Sequence, residues 1–600
     1  MEHRAPPLPE NPGYGSTALY MWPAKQLHSK RDSIPHVPVI YFCLPTPENL
    51  NRIAQDFQAN LYDSYYLNFI SAISRQNLED LATAALQHNC VGNIHKVFDQ
   101  YLNFICLEDD FFVLKNQGDD EINYYALNKC NIKDTEIESI IDKTVDGLFS
   151  VFATLGSVPM IRCPKNNAAE MVSEKLAKKI HENLKDTRNN LFLSTGGGVG
   201  SSGDFGLASG GLVFHRPLLI VLDRNVDMAT PLHHTWTYQA LAHDVLPMAL
   251  NRITLTDAQG TGGSAGQVKK IDLNDSDLFW SQHKGSPFPI VAEAIQEELE
   301  TLKAREEEMK NIKMSMDDAS GAMSVNLNDN TAKLSSAIQN LPQLLEKKRL
   351  IDSHTSLATH ILDHIKSRRL DTLFEIEEKL MSRVSTDRTI GELLADEFGN
   401  SEDKLRLFLI YYICAHASEE ESLARCLDIL RKQGCDTSAY EYIRRWKQYN
   451  KITSPGAGGE DRAGSIIKTK SMFSKLVSQG SSFVMEGVKN LIVKKYNLPI
   501  TRIVSDIYDA HCGSPTVEVN KNFALFDPKL SNGALNTAHA GSHISVVVVL
   551  MVGAGNYIEY ENLVQYGRDK SVRVVYATSS LVNASGFLKQ LTLLGDETKQ

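Results

Sequence analysis

The chain has 600 residues, more than a single hydrophobic core usually organises, so its length predicts about two to four domains. The apolar fraction of 42% and the charged fraction of 22% are typical of an ordinary globular protein. The formal net charge is −11 and no basic block stands out, which argues against a dedicated nucleic-acid-binding protein.

Three further features predict a cytosolic protein. Residues 1–15 are rich in Pro, Gly and charge, where a secretory signal needs an apolar core. The most apolar run, Ile544–Met551, is less than half as long as a membrane-spanning helix. The nine cysteines form neither a CxxC pair nor a cluster with histidine, so we expect reduced thiols, no metal and no cofactor.

The N-terminal part of the chain alternates between strand and helix patterns. Val37–Leu44 has the composition of a buried strand and is ended by Pro45, and helical periodicity follows over Glu48–Ala59. The alternation continues to about residue 107 and predicts a first, small α/β domain.

A second set of strands follows. Ser157–Arg162 and the strongly aliphatic Arg216–Asp223 are predicted strands, separated by a helix over Ala168–Asp186 and a Gly/Ser tract at 196–211. The tract lacks the GK[ST] ending of a phosphate-binding loop, so we interpret it as a surface loop.

The middle of the chain is helical and its end returns to an α/β pattern. Phe288–Trp446 is almost entirely helical by pattern, with a polar break at Ser315–Asp329, and residues 453–465 are a predicted linker. Strands at Ser545–Val552 and Arg573–Tyr576 flank a helix and form a predicted βαβ unit. The pattern predicts a sheet domain interrupted by a helical insertion.

Two places in the sequence leave an enzymatic alternative open. Gly553 and Gly555 follow an apolar strand, as in a dinucleotide-binding turn, but position 558 is Ile where that motif needs a third glycine. Asp223 and Asp227 end a strand near a pair of histidines, 233 and 234, which suggests a metal site. We favour structural roles for both places, since no catalytic motif such as GxSxG or HExxH is present.

The segment Arg216–Leu246 closely resembles the most recognisable block of the SM (Sec/Munc) family, and within it the Sly-type members of ER–Golgi traffic. The family pattern is a strand ending in Asp-Arg, then Asp, Thr-Pro and a Tyr-containing helix. Its positions in this chain are Asp223, Arg224, Asp227, Thr230, Pro231 and Tyr238. Further segments agree in order: Tyr62–Ile73, Leu78–Asp80, Val97–Ile105, Lys284–Pro289, Leu341–Leu370, Val484–Leu491 and Gly553–Leu563.

The resemblance covers residues 34 to about 595 and implies a three-domain arch of two α/β domains with parallel sheets and a large all-helical insertion. The implied domains are 1–107, the discontinuous 108–253 with 484–600, and the helical 254–483. The first 30 or so residues differ from the family, so we expect domain 1 to lack its leading βα unit and to expose a sheet edge.

The resemblance also implies a pocket on domain 1 for an N-terminal syntaxin peptide. The matching positions are Leu78, Leu81, Ala82, Ile94 and Phe98. The first three share one face of a helix, and we expect the last two to form a pair on the next helix, so that two apolar stripes leave a groove for an aromatic anchor.

A second implied surface is a SNARE-templating helix at about Asn330–Lys366, with the polar segment Ser315–Asp329 as its lid. The predicted site residues are Leu341, Pro342, Leu345, His354, Thr355 and Ala358. We expect Pro342 to interrupt the helix and act as a switch point. Other apolar residues of this helix, such as Ile351 and Leu357, are also consistent with bundle packing.

The implied activity is non-enzymatic templating of SNARE assembly in vesicle docking and fusion, most specifically in ER–Golgi transport. The implied partners are an early-secretory syntaxin, other SNAREs and a tethering complex, with no nucleic acid. We expect a monomer in the cytoplasm that associates peripherally with ER and Golgi membranes through SNAREs.

Overall fold

The computed structural model describes residues 37–114, 122–185, 191–192, 216–256, 268–318, 327–382, 384, 388–415, 420–453, 498–512, 522–530 and 544–597, without the side chains of 309, 312–341 and 450–453. The chain divides into two compact units, Met1–Asn103 and Phe104–Gln600. Residues 454–465 of the predicted linker, the Gly/Ser tract, and residues 484–491 lie outside the described residues.

The first unit contains a parallel sheet of three strands in the order β1-β2-β3. They are β1 (Pro38–Cys43), β2 (Ser64–Phe69) and β3 (Ile94–Asp99). Helix α1 (Pro47–Gln58) joins β1 to β2, and α2 (Arg75–Gln87) joins β2 to β3. Because both crossovers connect parallel neighbours in the same direction, the two helices cover the same face of the sheet.

Local sequence explains where these helices begin. The Thr46 side chain accepts a hydrogen bond from the backbone N–H of Asn49, and Pro47 occupies the first turn of α1, where its missing N–H is harmless. The Ser74 side chain caps α2 in the same way. The predicted strand and helix at the start of this unit are therefore confirmed, but the expected burial of the strand is wrong, since Ile40 and Phe42 are 62% and 59% exposed.

The second unit is built on a seven-stranded, mostly parallel sheet with the order β11-β6-β7-β12-β13-β5-β4. Its strands are β4 (Phe104–Glu108), β5 (Phe111–Leu114), β6 (Met160–Pro164), β7 (Leu218–Asp223), β11 (Phe523–Phe526), β12 (Val546–Val552) and β13 (Arg573–Thr578). A small antiparallel sheet comprises β8 (Met248–Ala249), β9 (Arg252–Thr256) and β10 (Val268–Asp272). The predicted boundary at residue 107 thus falls inside β4.

The buried centre of the large sheet explains its aliphatic sequence. All six residues of β7 are buried, and β7 pairs in parallel with β12 over Leu218–Asp223. A strand covered on both faces needs apolar side chains at every position instead of alternating ones. The predicted βαβ unit near the C-terminal end is confirmed by β12, α16 (Tyr557–Lys570) and β13.

Helices of the second unit surround this sheet and form the helical middle of the chain. Those before residue 290 are α3 (Tyr124–Asn128), α4 (Asp134–Leu155), α5 (Ala168–Lys185), α6 (Tyr238–Val245), α7 (Leu278–His283) and α8 (Phe288–Asp318). The others are α9 (Leu327–Arg368), α10 (Leu370–Met381), α11 (Ile390–Ala395), α12 (Ser401–Cys414), α13 (Glu420–Lys432), α14 (Ser438–Thr453), α15 (Pro499–Cys512) and α17 (Ala584–Glu597). The α/β class with parallel sheets is confirmed.

No helix within the described ranges combines the length and the apolar composition that crossing a bilayer requires.

Candidate functional site

The Asp-Arg signature at the end of β7 is part of the protein interior. The Arg224 guanidinium is completely buried and donates to Glu559 Oε1 at 2.7 Å and to the carbonyl of Ala554 at 3.0 Å. The Tyr576 hydroxyl donates to the other Glu559 oxygen at 2.6 Å. The arginine therefore fixes the loop after β7 to the start of α16.

The two carboxylates of the signature cap backbone turns. Asp227 Oδ1 accepts from the N–H groups of Ala229 and Thr230 at 3.0 and 3.1 Å, and its Oδ2 accepts from the Thr230 hydroxyl. Asp223 Oδ1 accepts from the backbone and the side chain of Asn225 at 2.8 and 2.6 Å. These oxygens are engaged in loop structure, as the structural interpretation of the sequence predicts.

Pro231 and Tyr238 complete the signature and are also buried. Pro231 lies in the short 3-10 turn Thr230–Leu232. Tyr238 begins α6, and its hydroxyl lies 2.9 Å from Nδ1 of His354 on α9. Burial raises the pKa of the Tyr238 hydroxyl far above its ordinary value, so it acts as a neutral hydrogen-bonding group.

The adjacent histidines 233 and 234 both lie beside Glu377, and His233 Nε2 is 4.0 Å from Glu377 Oε2 and 3.7 Å from Glu378 Oε1. His234 contacts Glu377 Oε1 at 2.8 Å through Nδ1 and Asp403 Oδ1 at 3.1 Å through Nε2. The His233 ring packs against Phe374, with centroids 5.5 Å apart. Among the residues described by the structure, no group of three or more His, Cys, Asp or Glu side chains is arranged to hold a metal ion.

The Gly553–Gly555 turn uses its amides within the protein. The Gly553 N–H donates to the Ser579 hydroxyl at 2.9 Å, and the Gly555 N–H donates to the Ser580 carbonyl at 2.8 Å. A Cβ at Gly555 would lie 2.5 Å from Cβ of Thr578, so this glycine is required by packing. A turn whose amides and space are already occupied does not suit a dinucleotide phosphate. The enzymatic alternative finds no support here.

The predicted peptide-pocket residues lie in the first unit, with different degrees of exposure. Leu81 on α2 is 5% exposed and belongs to the core, whereas Leu78 on the same helix is 42% exposed. Ala82 is exposed and Ile94 is half-buried. Leu78 and Ala82 therefore form a solvent-accessible apolar stripe beside the buried Leu81.

The expectation that Ile94 and Phe98 lie on a helix is wrong, because both belong to β3. Phe98 pairs with Asn68, which alternates with the buried Leu67 on β2. Since alternate residues of a strand point to opposite faces, Phe98 points away from the face that carries α2. Its neighbour Val97 pairs with Leu67 and points to the helix-bearing face with 41% of its surface exposed.

Val97 is not among the predicted pocket residues. Strand alternation is the signal that could have placed it on the helix-bearing face, where helical spacing had been expected for this segment. Ile94 and Val97 lie on the face of the sheet that carries α2, and Leu78 and Ala82 are exposed on α2 itself.

The predicted templating residues on α9 fall into different environments. Leu345 is 58% exposed and Pro342 is also exposed, whereas Thr355 and Ala358 are half-buried and His354 is 1% exposed. The Leu341 side chain lies outside the described residues. The helix is a single element through Pro342, so the expected interruption is absent.

Two ion pairs join the exposed part of α9 to α8. Lys347 Nζ lies 2.6 Å from Glu298 Oε2, and Lys348 Nζ lies 2.6 Å from Glu306 Oε1. Of the predicted lid, Ser315–Asp329, residues 319–326 and all of its side chains are outside the described part of the chain.

Comparison with known proteins gives the family. The Sec1 family model matches residues 20–590. The chain is 52% identical over 585 residues to the protein sly1 homolog of Drosophila melanogaster, covering 95% of this chain and 89% of that protein. It is 48% identical over 586 residues to the human Sec1 family domain-containing protein 1, covering 95% and 88%.

Solved structures agree. The crystal structure of Sly1p in complex with an N-terminal peptide of Sed5p is similar over 96% of this chain and 87% of that one, with a TM-score of 0.72 and 26% identity. The SM protein Vps45 in complex with the Qa SNARE Tlg2 shares the fold, with a TM-score of 0.67 at 18% identity over 95% and 89% of the two chains. The chain belongs to the Sec1 family of SM proteins, which are non-enzymatic regulators of SNARE assembly.

Proposed function

We propose that this chain regulates SNARE assembly in ER–Golgi transport by binding the N-terminal peptide of a syntaxin on its first unit and SNARE helices on α9. The observation that carries the proposal is the exposed apolar stripe of α2 beside edge strand β3, in a chain similar to a peptide-bound Sly1p. The protein would act in the cytoplasm and reach ER and Golgi membranes peripherally, through its SNARE partners.

The position of the stripe supports a groove along the sheet edge. Leu78 and Ala82 occupy one flank of α2, and on the opposite flank Asn77 and Ala84 are half-buried. The half-buried flank fits contact with α1, so the exposed flank is the one toward β3, where Val97 is also exposed. An aromatic side chain of a peptide inserted between Leu78, Ala82 and Val97 would bury apolar surface on both walls.

The pocket is tested by titrating a fluorescent syntaxin N-terminal peptide. We expect Leu78→Asp and Val97→Asp each to weaken binding at least about tenfold, because a carboxylate would be desolvated under the peptide. Both side chains are exposed, so the first unit should stay folded, unlike after replacement of the buried Leu81.

Two control variants, each of which also adds a carboxylate to the first unit, test whether the effect is specific to the proposed groove. Thr83→Asp adds the same charge on the solvent side of α2 and should leave binding unchanged. Phe98→Asp, on the other face of the sheet, should also leave it unchanged. Undiminished binding by both Leu78→Asp and Val97→Asp would remove the groove from the proposal.

The second surface is the exposed part of α9 around Pro342 and Leu345. Leu345 is 58% exposed next to the exposed Pro342, while the neighbouring Leu344 packs against the core. A SNARE helix held along this surface would have its conformation fixed before it meets a second one, which lowers the entropic cost of nucleating their coiled coil.

Leu345→Asp tests this surface in a SNARE-complex assembly assay with full-length protein. We expect slower assembly and weaker binding of SNARE helices, with unchanged binding of the syntaxin N-terminal peptide. Thr359→Asp, exposed on the same helix, is the matched control. Equal assembly rates for Leu345→Asp and wild type would exclude this part of α9 as the template.

A further inference from the structure

His354 connects three helices of the second unit through both of its ring nitrogens. The Tyr238 hydroxyl at the start of α6 donates to Nδ1 at 2.9 Å, and Nε2–H donates to Asp277 Oδ2 at 2.9 Å. Asp277 also caps α7 by accepting from the N–H of Trp280 at 3.1 Å. Since each ring nitrogen has a partner on a different element, the side chain has a single satisfied orientation.

Aromatic rings enclose this relay. The Phe279 ring lies 4.7 Å from the His354 ring, and the Trp280 ring is nearly parallel to it at 6.5 Å. His354 and Tyr238 are almost fully inaccessible to solvent. A syntaxin or SNARE helix on the surface of α9 therefore cannot contact the imidazole in this conformation.

The relay stands where α9 changes from exposed to packed. On its N-terminal side Pro342, Leu345 and Arg349 are exposed. From Ile351 onward, buried residues recur at helical spacing: Ile351, His354, Leu357, Ile361 and Ile365. His354 thus lies near the start of the packed part of α9 and bonds this helix to two other elements through its ring nitrogens.

The two ends of α9 are held by interactions of very different kinds. At the C-terminal end, Arg368 Nε donates to the buried carboxylate of Asp403 at 3.0 Å. On the other side of His354, the polar contacts between α9 and α8 among the described side chains include the partly exposed ion pairs of Lys347 and Lys348, beside apolar packing of Leu344. Exposed ion pairs contribute little stability, so buried polar contacts fix α9 from His354 to Arg368, about 21 Å of helix, more firmly than the ion pairs fix the part before it.

We propose that His354 is a positioning residue of the templating surface: its relay to Tyr238 and Asp277 fixes the point from which the Pro342–Arg349 part of α9 is presented to an amphipathic SNARE helix. The proposal deepens the proposed function and rests on it. It gives His354 a role different from that of Leu345, which would touch the partner.

The test compares His354→Phe with His354→Gln in the full chain. Phenylalanine keeps a ring against Phe279 but leaves the Tyr238 hydroxyl and the Asp277 carboxylate unpaired. The glutamine side chain carries an acceptor for the Tyr238 hydroxyl and a donor for the Asp277 carboxylate, so it can replace both hydrogen bonds. We expect His354→Phe to weaken SNARE-helix binding about tenfold and to speed amide exchange over 342–353, with rescue of both by His354→Gln.

Binding of the syntaxin N-terminal peptide to the first unit serves as the internal control and should not change. Should His354→Phe not fold, Asp277→Asn, which keeps the cap of α7, provides the second variant and should show the smaller change of the same sign. Wild-type SNARE binding by these variants, or exchange that rises evenly through the second unit, would overturn the proposal. If Leu345→Asp also binds normally, the proposed surface itself has failed; if only Leu345→Asp weakens binding, the positioning role alone has failed.

Discussion

His234 forms ion pairs with two buried carboxylates, Glu377 on α10 and Asp403 at the start of α12. Burial and the charge of Arg406 oppose its protonation, but the charge of Glu377 and the hydrogen bonds to both carboxylates outweigh them and raise the His234 pKa above 6.5. The loop after β7 is therefore held to the helices of the same unit by an imidazole whose protonated form these carboxylates favour.

The sign of the pH dependence follows from this raised pKa. The stabilisation from His234 is fully present below pH 6.5, the ordinary pKa, and is lost as the pH rises through the folded-state pKa. We expect the unfolding free energy of the second unit to fall as the pH rises above 6.5, and His234→Gln to remove that part of the dependence. Urea unfolding at a series of pH values measures both.

His243 provides the control with the opposite sign. Burial lowers its pKa from 6.5 to about 4, so stability is lost as the pH falls below 6.5. This shift corresponds to about 3 kcal/mol at low pH. His243→Gln should remove the loss of stability at acid pH and leave the loss of stability above pH 6.5 unchanged. Removal of both pH dependences by one variant would contradict the assignment.

Among the residues that the structure describes, no cationic side chain pairs with the buried carboxyl of Glu561, and its substitution is expected to stabilise the protein. Burial raises its pKa from 4.5 to about 8, with the Thr237 hydroxyl donating to Oε2. Because the unfolded carboxyl ionises at lower pH, stability falls between these two pH values and is about 3 kcal/mol lower at pH 7. Glu561→Gln should recover about 1–3 kcal/mol at pH 7 and little at pH 4. Equal gains at both pH values would show that charge is not the cause.

The Arg224–Glu559 pair is predicted to be the costliest ion pair to break by single substitution. Arg224→Met leaves the Glu559 carboxylate buried without its partner, which costs about 3–5 kcal/mol. The double variant Arg224→Met/Glu559→Leu should recover much of this loss. Arg573→Met removes the largely exposed pair with Asp110 and should cost less than about 1 kcal/mol. Denaturant unfolding of the four proteins measures the difference; similar losses for Arg224→Met and Arg573→Met would refute it.

Gly555→Ala should destabilise the second unit because there is no room for its methyl group. The added Cβ would lie 2.6 Å from Thr578 Oγ1 and 2.7 Å from the Tyr576 hydroxyl, and overpacking of this kind costs about 1–3 kcal/mol. Gly391→Ala, with nothing within 4 Å of its Cβ, is the matched control and should lose no stability. Saturating nucleotide should not shift the thermal unfolding midpoint of the wild type, since the turn amides are already bonded.

The sequence predicted the elements whose patterns are local. The strand β1, the helix α1 and the β12-α16-β13 unit were predicted close to their observed bounds, because apolar runs there end at Pro, Gly or Asn. Structural roles were predicted for Asp223 and Asp227, and the partners that they cap lie within three residues, where local sequence is informative.

Interactions between distant residues could not be predicted in this way. His234 meets Glu377 and Asp403 across 143 and 169 positions, so neither the paired charges nor the raised pKa has a local pattern. The segment Ile94–Asp99 was misread for a different reason. Its apolar residues at 94, 97 and 98 have the spacing of a helix, and the extra residue at 95 puts Ile94 and Val97 on one face of the strand although they are three positions apart.

That irregularity has a consequence for how the strand tolerates a change of length. Between Tyr65 and Tyr66 the partners on β3 move from Ile94 to Lys96, so His95 is the extra residue. Without His95, Val97 would still pair with Leu67 and Phe98 with Asn68, so Val97 would keep pointing to the face that carries α2 and Phe98 away from it. The wall beneath a bound peptide would therefore stay aliphatic whether or not the strand carries its extra residue.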